Sequence, residues 1–174
     1  MGAVQTNMYR LGEKAVAGEL ESLLGTVREF TDVNYSAIDS QRKLLSGRRI
    51  KAMWVKNDSG GALNPNECLT WKSGLAGTYV GGVTGAAGTG VGAVDPYVTS
   101  VANGEHFWML IEGPGKARSA GSISANAILI PAATGEVTTV TNDAAGSLSA
   151  CGRAVTAATA ADQTIDVVWK FPGY

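Results

Sequence analysis

Downstream of about Val98 the apolar residues fall in short runs separated by turn-forming residues, the pattern of strands joined by tight reversals. Phe107-Trp108-Met109-Leu110-Ile111 is aromatic and aliphatic throughout, as a strand buried on a sheet tends to be. Glu112-Gly113-Pro114-Gly115 then predicts a turn, since Pro114 presets a negative φ and removes a ladder donor while its glycines tolerate a reversal. Ala127-Ile128-Leu129-Ile130 ends at Pro131, and Thr134-Gly135-Glu136 turns the chain into Val137-Thr138-Thr139-Val140. Gly152-Arg153-Ala154-Val155-Thr156 gives another strand. In the last, Thr164 to Phe171, the apolar Ile165, Val167, Trp169 and Phe171 recur at every second position, the period of a half-buried strand. Turns at intervals of roughly ten residues predict a mainly β fold, a small β-barrel or sandwich.

Upstream, Ile50 to Lys56 reads as a strand that stops at Asn57-Asp58-Ser59-Gly60-Gly61, a strong turn sequence. Cys68 to Lys72 resumes as a strand, and the two together predict a long hairpin. Ser73 to Ala93, rich in Gly, Ala, Thr and Val, fits either an exposed loop or an intersubunit strand. Residues 1–49 differ in character. Asn7 is placed to cap a helix in which Met8, Leu11, Ala15, Leu20, Leu23, Leu24 and Val27 recur at nearly helical spacing, with Gly12, Gly18 and Gly25 weakening it. Tyr35 to Leu45 reads as a second short helix, capped by Ser36 and closed by Gly47. An arm ordered by contact with a neighbour is the alternative. The chain thus divides into an N-terminal extended or helical arm, 1–49, and a β-rich domain, 50–174.

Charge adds to this division. Only 17% of the residues are charged and 23 are Gly, and a surface so poor in charge often has a partner. The net charge of −1 argues against a dedicated nucleic-acid binder. Arg42, Lys43, Arg48, Arg49 and Lys51 form one basic cluster, read as a solvated or intersubunit face because no aromatic side chains interleave it. No apolar segment approaches the roughly 18 residues of a membrane span, which predicts a chain with no membrane partner. Cys68 and Cys151, 83 positions apart, match no metal-ligand or redox spacing and read as buried or free thiols.

The chemistry that short motifs suggest fails in context. Asp58-Ser59-Gly60-Gly61 is like the nucleophile motif of trypsin-like proteases, but Asn57 stands where a glycine is needed and the single histidine, His106, follows the serine. Gly88-Thr89-Gly90-Val91-Gly92-Ala93 lacks the following helix of a dinucleotide site, and Gly113-Pro114-Gly115-Lys116 lacks the length of a phosphate loop. His106 beside Glu105 is one imidazole without further ligands. Asp95, Glu105 and Glu112 fall at turn or strand ends, where solvated carboxylates are expected. Trp54, Trp71, Trp108 and Trp169 lie inside predicted strands, as core side chains or an interface anchor. The sequence therefore predicts no enzyme: no catalytic, cofactor-binding or metal-binding residues, and no cofactor.

Val55-Lys56-Asn57-Asp58-Ser59-Gly60 with Ala62-Leu63, then Trp108-Met109-Leu110-Ile111-Glu112-Gly113-Pro114, then Gly152-Arg153-Ala154-Val155-Thr156-Ala157-Ala158 and Val167-Val168-Trp169, follow one another in an order that resembles the head-decoration, or capsid-cement, proteins of tailed bacteriophages. The resemblance covers residues 50–174 and lies in order and texture. It implies a small β-barrel on the outer capsid surface, a homotrimer that braces neighbouring major capsid subunits without catalysis. Its partners would be the major capsid protein and further copies of itself, its place the virion after synthesis in the host cytoplasm. Tyr9, Leu11, Leu20, Leu23, Arg42, Arg48 and Arg49 are then the expected capsid or intersubunit contacts. Another virion β-protein, such as a head fibre base or tail component, and a carbohydrate-binding module with an exposed Trp platform stay open beside it.

Overall fold

The computed structural model describes residues 11–16, 18, 20–31, 48–72, 77–82, 90–140 and 150–172. They form eleven strands: β1 (Lys14–Ala15), β2 (Val27–Thr31), β3 (Arg49–Asn57), β4 (Cys68–Trp71), β5 (Tyr79–Gly82), β6 (Gly92–Val94), β7 (His106–Arg118), β8 (Ile128–Pro131), β9 (Val137–Thr139), β10 (Gly152–Ala154) and β11 (Thr164–Lys170). Two 3-10 turns, Glu21–Leu23 and Ala133–Gly135, are the helical content among these residues. The fold is mainly β, on one mixed sheet. Period-two patterning holds best in β11, where Ile165, Val167 and Trp169 are buried and the residues between them are not.

Three expectations change. The helix over residues 8–27 gives way to β1, a 3-10 turn and β2 among the described residues, because Gly12, Gly18, Leu20 and Gly25 all take positive φ and break the chain into turns where the leucine spacing suggested one face. The second helix, Tyr35 to Leu45, lies outside the described residues. The hairpin of β3 with β4 does not form either: β5, from the Gly/Ala/Thr-rich stretch, inserts between them, parallel to β3 and antiparallel to β4.

The turn at Gly113-Pro114-Gly115 is the third. β7 runs straight through it for 13 residues, pairing first with β3 and β6 and then with β11. The Phe171 amide donates to the Ile111 carbonyl, so odd-numbered residues of this stretch turn their amides to β11 and Pro114 faces the other edge. There the β3 ladder has already ended at Glu112, and proline removes no ladder donor. The glycines serve close approach. A β-bulge between β3 and β7 falls at Ile111, just before Gly113, whose φ is 112° and where a Cβ would stand 2.4 Å from the Arg49 carbonyl oxygen. At Gly115 a Cβ would stand 2.4 Å from Trp169 Nε1.

The long strand joins two copies of one unit. In the first, pairings run β3 to β5 to β4 to β6 to β7 and return from β7 to β3. In the second they run β7 to β9 to β8 to β10 to β11 and back to β7, the β7 to β9 link being the parallel bridge Ser119↔Val137. The hydrogen bonds correspond singly. Asn57 N to Glu105 O matches Ser119 N to Gln163 O, and Asn66 N to Val94 O matches Asn126 N to Ala154 O. Leu63 and Val101 exchange two bonds, as Ile123 and Ala158 do. Asn66 and Asn126 share the same left-handed backbone, at φ 71° and 65°. The cores match as well: Val55, Leu63, Leu69, Val80, Val94, Val101 and Phe107 fill the first unit, and Ala117, Ile123, Leu129, Val137, Ala154, Ala158 and Ile165 fill the second.

Candidate interaction surface

The outer face of the first unit is covered by the chain itself. Trp54 and Trp108 stand opposite each other on β3 and β7 with centroids 5.0 Å apart, and Phe30 forms a T-shaped pair with Trp108, centroids 5.1 Å apart. Leu11, Leu20, Leu23 and Leu24 pack against the cluster that this pair forms with Ala15 and Ala52. The segment is anchored by polar contacts at several points. Asp95 accepts from the Gly12 and Tyr97 amides, Lys14 Nζ meets Glu105 Oε2 at 2.9 Å, and Glu21 Oε1 meets Lys56 Nζ at 3.0 Å. Asp95, expected to be solvated, is fully buried, because its carboxylate closes the turn before Tyr97 and holds the N-terminal segment.

His106 belongs to this covered face. It is buried on the Trp54 ring plane, with 12° between the planes. Burial pushes its pKa below the ordinary imidazole value and the Lys56 charge adds to this, against weaker opposition from Glu21 and the Val16 backbone. The Ser59 hydroxyl donates to the Gly61 carbonyl at 2.8 Å within its own turn, and the Ser59 amide donates to Asn57 Oδ1 at 2.9 Å. Asn57 is buried and also donates to the Val101 carbonyl at 2.8 Å, so the residue that spoiled the protease motif ties a turn to the core. Among the described residues no three His, Cys, Asp or Glu side chains gather where a metal ion would be held. No helix among them is long and apolar enough to cross a membrane.

Of the expected contact residues, Arg48 and Arg49 come together and the leucines do not join them. Leu11, Leu20 and Leu23 pack within the chain against the cluster of Ala15, Ala52, Trp54 and Trp108, and Tyr9 and Arg42 lie outside the described residues. Arg48 and Arg49 border an open groove of about 320 Å³ with Glu29, Lys51, Glu112 and Lys170, floored by Gly113, Pro114 and Trp169. The Arg49 guanidinium reaches Glu29 at 3.0 Å, both side chains largely in solvent. Such a groove offers interspersed charges of both signs to a complementary surface. Glu29, Glu112 and Lys170 were not foreseen, since they come from three distant segments and meet only through the β2, β3, β7 and β11 pairings.

No protein-family model matches the chain, and no curated protein does. Among solved structures it is similar to the head fiber gp8.5 N base of bacteriophage phi29, at a TM-score of 0.52 and 13% sequence identity, over 72% of this chain and 99% of that one. At that identity the likeness concerns the fold: the chain has the fold of a phage head fiber base.

Proposed function

We propose that this chain is a non-catalytic structural protein of a phage virion, one that forms the base of a head fibre or a comparable head attachment. The observation that carries this reading is the fold, which spans nearly the whole of the phi29 head fiber base. Two features of the chain support it. The motifs suggesting catalysis resolve into turns and core contacts, with Ser59 bonded inside its own turn and His106 packed on Trp54. Trp54, Trp108 and Trp169 are at most 1% exposed, which removes three of the chain's four tryptophans as platforms for a sugar-stacking module.

On this reading the partner is the major capsid protein, and the protein acts as a homo-oligomer on the outside of the head. Arg48 and Arg49 with their groove are the contact surface we assign to it. A base of this kind needs only to bind an assembled shell, and repetition over equivalent sites supplies avidity. The reading favours attachment over cementing, because the residues that would reach across neighbouring subunits, Leu11, Leu20 and Leu23, are engaged within the chain.

Separating purified particles into heads and tails and quantifying the chain in each tests the reading. Recovery with heads, with loss of binding when Arg48 and Arg49 are both changed to Glu, is the expected result. Recovery with tails, or with neither, overturns it.

A further inference from the structure

Cys68 and Cys151 are both fully buried, in the cluster that fills the second unit and the seam between the units. On β4, Leu69 points into the first unit's core, so strand alternation sends its neighbour Cys68 outward to the seam. Cys151 stands just before β10, its amide donating to the Leu129 carbonyl at 2.8 Å. Cys68 and Cys151 share this one cluster, interaction with Cys151 is the first cause of the raised Cys68 thiol pKa, and Cys151 Sγ donates to the Leu129 carbonyl at 3.4 Å. Neither site is a cysteine in the other unit. The pairing Cys68↔Ala93 corresponds to Ile128↔Arg153, and the bond from Cys151 corresponds to that from Val91 to Leu69. Ile128 is 44% exposed, so the equivalent position becomes buried at Cys68 only because the second unit lies against it. The thiol contact is a property of the junction.

We propose that Cys68 and Cys151 are a modification site, a thiol pair that a small-molecule disulfide of the oxidised-glutathione class converts into an intrachain cross-link between the two units. One protein thiol loses its proton and attacks a sulfur of the reagent, forming a mixed disulfide and releasing one small thiolate. The second protein thiol, likewise deprotonated, attacks the protein-side sulfur and releases the other. Both cysteines are oxidised, the reagent is reduced to two thiols, and these take up the two protons. Interaction with Cys151 and burial hold the Cys68 thiol well above its ordinary pKa, so thiolate is scarce while the seam is closed and exchange follows local opening. Once formed, the dry disulfide is out of reach of reductants and closes a loop spanning most of both units.

The test uses the full chain, incubated with oxidised glutathione in mild urea and then returned to buffer. Peptide mapping should find one linked pair containing Cys68 and Cys151, with the melting temperature raised by about 10 °C, the shift that closing so long a loop brings to a chain of this size. Dithiothreitol should reverse the rise when added in the same mild urea, which opens the seam, and Cys68→Ala and Cys151→Ala should show no rise under the same oxidant. If either variant fails to fold, the mapping and reversible melting of the unmodified sequence decide. Mixed adducts or intermolecular dimers without the linked peptide would overturn the proposal, as would a linked peptide without a rise in melting temperature.

Discussion

At one ladder position the first unit holds Trp54 opposite Trp108, and at the corresponding position the second holds Lys116 opposite Asp166. The skeleton around both is the same, down to single hydrogen bonds. The first pair is buried beneath the N-terminal segment, whereas Lys116 and Asp166 meet at 2.9 Å with side chains 36% and 44% exposed. Two indoles left in water would expose a few hundred Å² of mostly apolar surface, which at about 25 cal/mol per Å² amounts to several kcal/mol. An exposed ion pair has no such need. The outer face, then, decides which unit recruits a cover, while the inner alternation and the turns make the unit itself.

Changing the apolar pair should break the comparison most strongly. Trp108→Ala removes the ring that Trp54 and Phe30 both meet, and should lower the free energy of unfolding by about 3–5 kcal/mol in urea titrations. A stability within 1 kcal/mol of the unmodified chain would mean that the N-terminal segment contributes little to the first unit. Next in size is Gly115→Ala, whose added methyl meets the Trp169 indole in the second unit's core; a loss of roughly 1–3 kcal/mol is expected. Met53, at the equivalent place in the first unit, already carries a side chain, so Met53→Ala should lack this overpacking signature.

The pH dependence sharpens the comparison further. With its folded pKa lowered by burial and Lys56, His106 resists protonation in the native state and accepts it readily when unfolded. The stability from keeping it neutral is therefore present above the ordinary histidine pKa of about 6.5 and falls as pH drops from there toward the folded value. Melting temperatures from pH 8 to 5 should decline below that point, and His106→Gln should flatten the decline. An undiminished slope in the variant would assign it to other groups. The smallest effect belongs to the second unit's pair: Lys116→Ala and Asp166→Ala should each cost at most about 1 kcal/mol, with a double-mutant coupling below that and weakened by salt.

Much of this was legible in the chain. The strands from Ile50 to Lys56, at Cys68, at Ile128 and from Thr164 stand where alternation and turn residues put them. Β7 was cut short because Pro114 and two glycines carry the signature of a turn, and only the neighbouring strands reveal an edge with no donor to lose and a ring lying on Gly115. The N-terminal leucines at helical spacing are equally compatible with successive turns onto the cluster around one tryptophan pair. The duplication left little trace in residue identity. Asn66 with Asn126, Leu69 with Leu129, Gly92 with Gly152 and, at a different spacing, Val80 with Val137 agree, but these identities are scattered, and the most prominent residues, Trp54 and Trp108, correspond to Lys116 and Asp166. The groove at Arg48 and Arg49 was half visible as a run of basic residues, while its acidic members arrive through pairing alone.

The central claim is that one repeated unit serves twice, and that the N-terminal segment covers the first copy over its tryptophan pair, with Leu11 and Phe30 also reaching the seam. Residue-resolved hydrogen exchange on the intact chain and on Trp108→Ala tests it most directly. The account expects the amides of Val27–Thr31, and that of Gly25, which bonds to the Trp54 carbonyl, to lose protection in the variant while those of β8 to β11 keep theirs. Equal loss of protection in both units, or none at Val27–Thr31, would contradict it.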